Sequence, residues 1–110
     1  MIYKETIVIS QKEADFIRKA LDYEPKDEED VLMGEDDIIS HTANFPNGHF
    51  MDVKCVGVQF NEGRCNTAWT EAVLFDNGAE VACSDVSEDY LGEWQLEDGN
   101  DIYIVNVVSE

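Results

Sequence analysis

Two histidines and three cysteines are the side chains of this chain best able to bind a metal or act as a nucleophile. His41, His49 and Cys55 follow one another at intervals of eight and six residues, as a mixed nitrogen and sulfur set. Structural zinc sites favour ligands paired about two to four residues apart, so that one turn delivers both to the same ion. No such pair exists here, and the expectation is two unrelated strand histidines flanking a turn. Cys with His also suggests a nucleophile and its base. A reactive thiol, however, needs an exposed, electropositive setting, and the acidity of this chain works against one.

The carboxylates are no more specific. With 25 Asp and Glu residues, no acid–base couple can be singled out, and neither a glycine-rich phosphate loop nor a Ser-His-Asp pattern is present. An EF-hand loop needs alternating oxygen ligands, a central glycine and a closing glutamate. Asp76-Asn77-Gly78 and Asp98-Gly99-Asn100-Asp101 lack that order and read as hairpin turns. The expectation is a non-enzymatic protein with no metal, cofactor or catalytic residue.

Charge is the outstanding bulk property. The net charge is −18, and it is unevenly placed. Residues 1–26 carry five basic and five acidic residues, whereas residues 27–110 set Lys54 and Arg64 against twenty acids. Clustered Lys and Arg, which phosphate contacts and anionic membranes require, are missing, so direct nucleic-acid and membrane binding are not expected. The fitting partner is a basic protein surface; the blander role of such charge is to keep a small domain soluble and monomeric or at most weakly dimeric. Three cysteines without a C-x-x-C pair, no leader-like opening and no apolar run of membrane-spanning length point to a reduced, cytoplasmic setting. Cys55, Cys65 and Cys83 all have apolar strand neighbours and are expected to be buried.

The elements that must position these groups are mostly strands. Leu, Ile, Val and Phe total 29 of 110 residues, enough for one folded domain over 1–110. The spine is 49–83: apolar-rich runs at 49–60, 65–75 and 79–83 are joined by the turns 61–64 and 76–78, the latter an Asn-Gly hairpin signal. Both alternate sets of 49–60 carry apolar residues, so that strand is covered on both sides for part of its length, with a bend expected at Gly57. Before the spine come a strand at 4–10, a capping box at Ser10-Gln11-Lys12-Glu13, an amphipathic helix over 11–23 and a strand at 38–45. Phe45-Pro46-Asn47-Gly48 forms a tight turn. After the spine, 84–92 suggests a short helical turn, and 93–97 with 101–108 a closing hairpin. Strand 101–108 is expected beside 4–10, the other near-unbroken apolar run. The fold class is α+β: a twisted antiparallel sheet of six to seven strands, a meander of hairpins, with the N-terminal helix across one face.

Residues 24–37 hold eight acids and one Lys and read as an acidic loop. Within it, Asp27, Glu28, Glu29, Asp30, Glu35, Asp36 and Asp37 surround Val31, Leu32 and Met33, an apolar trio that a basic partner could cover while neutralising the acids. Tyr90 and Trp94 flank Gly92 in another acidic stretch and are the second candidate contact, if their rings are exposed. Leu91-Gly92-Glu93-Trp94 resembles a Gly-Glu-Trp run in acidic antirestriction proteins that imitate DNA. The resemblance covers these four residues and implies a DNA-mimic inhibitor of a nucleic-acid-binding protein; the chain is assigned to no family on it. The expected function is therefore a small acidic binding protein that docks on a basic protein surface. The alternative is an enzyme or small-ligand domain with a pocket between the helix and the sheet.

Overall fold

The computed structural model describes residues 1–21, 38–59, 66–84 and 89–110. The expected acidic loop at 24–37, the turn at 61–64, Cys65 and residues 85–88 of the helical turn expected over 84–92 lie outside the described residues. Strand β1 (Ile2–Ile9) leads into helix α1 (Gln11–Leu21), followed by β2 (Ile38–Asn44), β3 (Phe50–Gln59), β4 (Asn66–Asp76), β5 (Ala79–Cys83), β6 (Gly92–Asp98) and β7 (Asp101–Ser109). Ser10 caps α1 as its sequence implies: its hydroxyl accepts from the Glu13 amide at 3.1 Å and its carbonyl from the Ala14 amide at 3.0 Å. The Glu13 carboxylate does not complete the box but turns to His41.

The seven strands form two sheets rather than one. Strands β2-β3-β4-β5 make an antiparallel sheet in sequence order, and β1-β7-β6 make a second, with β7 antiparallel to β6 but parallel to β1. The neighbours β1 and β7 are as expected; their direction corrects the all-antiparallel expectation. A parallel pair needs a long connection, and everything between Ile9 and Asp101 supplies it. The split into two sheets also has a physical cause. One 11-residue helix cannot cover the apolar face of seven strands, so the sheets cover each other. A single core results, with Ala14 and Ile17 of α1, Ile7, Trp94, Leu96, Tyr103, Val105 and Val107 of one sheet, and Ala43, Met51, Val53, Cys55, Ala72 and Leu74 of the other.

Alternation along β3 sorts its two faces. Met51, Val53 and Cys55 are fully buried, while Phe50, Asp52, Lys54 and Val56 are half-buried on the outer face. There Phe50 stacks on its cross-strand partner Phe75 at 4.8 Å between ring centroids, and Thr42 donates to Asp52 at 2.5 Å. Pairing runs unbroken through Gly57, opposite Ala68. The irregularity lies instead at Leu74/Phe75 opposite β5, where one extra residue re-aims the strand. Cys83 is exposed, which corrects the expectation of a buried thiol, because the bulge and the edge position of β5 leave it facing out; Cys55 is buried as expected. Among the described residues, no helix is long and apolar enough to cross a membrane.

Candidate functional site

Three hairpin turns meet at the end of the molecule where β1 and β7 begin, and they gather its most notable polar groups. In the first, the Phe45 amide donates to the His49 carbonyl at 2.8 Å, and Gly48 takes φ 96° to close the loop. The second turn is Asn77 at φ 53° with Gly78 at φ 80°, both left-handed, the primed turn that an Asn-Gly pair favours. The third joins Asp98 to Asp101, and Asp101 accepts a bond from the Met1 ammonium at 2.9 Å.

His49, Asp76 and Asp98 converge between these turns. His49 Nε2 donates to Asp98 Oδ2 at 2.9 Å, and its Nδ1 lies 3.8 Å from Asp76 Oδ1. The imidazole is largely buried, with 11% of its side chain exposed, and it stacks on Tyr103 at 4.6 Å and 17°. Asn47 holds that ring in turn, donating to the Tyr103 hydroxyl at 2.7 Å. Burial pushes the Tyr103 phenol's pKa up, against the lowering effect of the Asn47 bond. Both sheets contribute, since His49 and Asp76 flank the four-stranded sheet and Asp98 ends β6. The sequence did carry a signal for this meeting. His49, Asp76 and Asp98 each sit two residues beyond a buried inward residue, Met51, Leu74 and Leu96, so alternation carries all three to the mouth of the sandwich.

The other histidine belongs to a separate chain of contacts between α1 and β2. His41 Nε2 pairs with Glu13 Oε1, while Nδ1 lies 2.5 Å from the Tyr90 hydroxyl, which donates to the Val53 carbonyl at 2.7 Å. A phenol has one proton, and with it given to Val53 the oxygen accepts from the His41 Nδ1–H. Burial raises the Tyr90 phenol's pKa most, and the nearby Glu13 charge adds to it. An open hollow of about 300 Å³ lies alongside, lined by Ser10, Lys12, Glu13, Phe16 and Ile39. It sits between helix and sheet, and it is not a closed cavity.

Of the expected contact residues, Asp27, Glu28, Glu29, Asp30, Val31, Leu32, Met33, Glu35, Asp36 and Asp37 lie outside the described residues. Tyr90 and Trp94 do not offer exposed rings. They are 1% and 7% exposed, because both point inward and are pinned: the Trp94 indole N–H donates to the Tyr90 carbonyl at 3.0 Å. No family model, curated protein or solved structure matches this chain.

Asp76, Asp98 and Asp101 sit at the turn pole, and exposed Glu93 and Glu97 follow one another along edge strand β6. Lys12, Arg18 and Lys19 lie on α1, which begins at the far end of β1, about 25 Å away at the rise of an extended strand.

Proposed function

We propose that this chain is a non-enzymatic acidic binding protein that docks on a basic surface of a protein partner. The imbalance of charge carries the reading: twenty acids against two basic residues over 27–110. A basic surface approaching the acid-rich part of the chain meets twenty carboxylates against Lys54 and Arg64, although the Met1 ammonium offsets Asp101 at the turn pole. Such fields raise association rates by roughly 10- to 1,000-fold at low ionic strength. In the 27–37 stretch, neutralisation of Asp27, Glu28, Glu29 and Asp30 is coupled to covering Val31, Leu32 and Met33. The finer form is a DNA mimic, in which carboxylates stand in for phosphates and block a nucleic-acid-binding protein.

Capture from cell lysate on the immobilised full chain, at low and high salt with the retained proteins identified, tests this. Proteins with basic surfaces should be retained at low salt and released by salt. Displacement of a captured nucleic-acid-binding protein by duplex DNA would support the finer form. No salt-sensitive retention means that the charge serves solubility. A second reading, a small-ligand or enzyme site, draws on the Glu13–His41–Tyr90 chain beside the hollow between α1 and β2. Its mark would be a small molecule whose binding is lost in His41→Ala while salt leaves it unchanged.

A further inference from the structure

We propose that His49, Asp76 and Asp98 form a binding site for a divalent first-row transition-metal ion, with His49 Nδ1 and the Asp76 carboxylate as direct ligands. In the neutral ring, the His49 Nε2–H bond to Asp98, at 2.9 Å, places the single proton on Nε2 and leaves Nδ1 as a bare lone pair. Nδ1 is shielded from solvent and has no hydrogen-bond partner, yet it faces Asp76 Oδ1 at 3.8 Å. Two electron-rich atoms held face to face repel unless a cation lies between them. A carboxylate on the far nitrogen is also how proteins orient metal-binding imidazoles, fixing the tautomer and strengthening the donor.

The dimensions suit an ion. Zinc bonds of about 2.0–2.2 Å at a tetrahedral angle set two ligand atoms about 3.4 Å apart, so a small rotation of the Asp76 side chain closes the present gap. One ligand atom from each of the three residues lies within 4.8 Å of the others, so the Asp98 charge stands beside the site and acts on the ion through the ring that it orients. Asp76 and Asp98 are 39% and 38% exposed, so water can complete the coordination. The ring is held by its stack on Tyr103, and the three residues come from three turns and two sheets, so the set exists in the folded chain alone. Two carboxylates with a neutral imidazole carry a charge that a divalent cation balances. A nitrogen ligand in so small a set favours zinc, and less strongly manganese, over calcium, which prefers about six to eight oxygens.

This inference is independent of docking on a basic partner, because it is read from direct ion binding. Zinc chloride and manganese chloride are titrated separately into the full chain near neutral pH by calorimetry, with the His49 ring nitrogens followed by NMR. One saturable zinc equivalent is expected, with Nδ1 shifting and manganese binding more weakly at the same ring. Asp76→Asn and His49→Gln should each lower zinc affinity at least tenfold, and Asp98→Asn by about 10- to 100-fold, while Asp15→Asn and Cys83→Ser leave it unchanged. Far-ultraviolet dichroism checks that each variant folds, and half-exposed Asp76 is the change least able to disturb folding. The proposal is overturned if zinc binding survives Asp76→Asn, if it is lost in Cys83→Ser, or if calcium binds as tightly as zinc. It is equally overturned if a second proton on His49 stays in place at saturating zinc, since a proton would then be the cation between the two groups.

Discussion

Replacing Tyr90 with Phe removes one oxygen, and the structure says how much should be lost. That hydroxyl lies in a residue 1% exposed, donates to the Val53 carbonyl at 2.7 Å and receives from His41 Nδ1 at 2.5 Å. It joins the segment before β6 to β3 and β2, and through His41 to Glu13 of α1. A neutral hydrogen bond contributes about 1 kcal/mol net and two are lost together, and the part-buried His41 Nδ1–H is left facing an apolar ring, while the Val53 carbonyl keeps its place in a strand paired on both sides. Phe refills nearly the same volume, so no cavity term is added. Tyr90→Phe should therefore cost about 2–3 kcal/mol, or roughly 10 °C in Tm for a domain of this size. Tyr103→Phe is the control: its hydroxyl is held by the exposed Asn47 amide, which water can satisfy, so it should cost about 1 kcal/mol or less. Thermal and urea melts of both variants at neutral pH make the comparison, with the urea slope expected to stay constant. If Tyr90→Phe costs no more than Tyr103→Phe, the hydroxyl is not the junction described here.

Two further outcomes follow from charge and burial. Burial pushes the Cys55 thiol up to about 11 from 9.0, so the unfolded chain gives up its proton first as pH rises. The stability held below about pH 9 should fall by about 2–3 kcal/mol on passing to about pH 11, at roughly 1.4 kcal/mol per pH unit. Melts at pH 8 to 11 on wild type and Cys55→Ala should show a shallower loss in the variant; parallel losses would contradict the assignment. Because the −18 charge is self-repelling, sodium chloride should raise Tm by screening, and a Tm that falls with salt would mean that specific ion pairs dominate.

Local signals were legible in the chain, and of the long-range ones only the neighbourhood of β1 and β7. Asn77-Gly78 and Pro46-Asn47-Gly48 mark their turns because the backbone angles there depend on the residues themselves. The adjacency of β1 and β7 could be read from two uniquely apolar runs, but not its parallel direction, which depends on how the whole intervening chain returns. The division into two sheets escaped the sequence because alternation marks an inward face without saying what covers it. Tyr90 and Trp94 looked exposable from acidic neighbours, yet β6 alternates and turns Trp94 inward, away from Glu93. His49, Asp76 and Asp98 are far apart in sequence and meet through register alone. Each sits two residues from a buried position, at the period of a strand, a pattern visible only once the hairpins are paired.

The docking account is tested most directly by the association rate of a captured basic partner, measured across salt concentrations for wild type and for a variant with Asp27, Glu28, Glu29 and Asp30 replaced by Ser or Asn. The account predicts that the variant folds at least as well as wild type, associates more slowly at low salt and shows a flatter salt dependence, because charges at the rim of a contact act mainly on the on-rate. An unchanged rate with an unchanged salt slope would contradict a contact at this stretch.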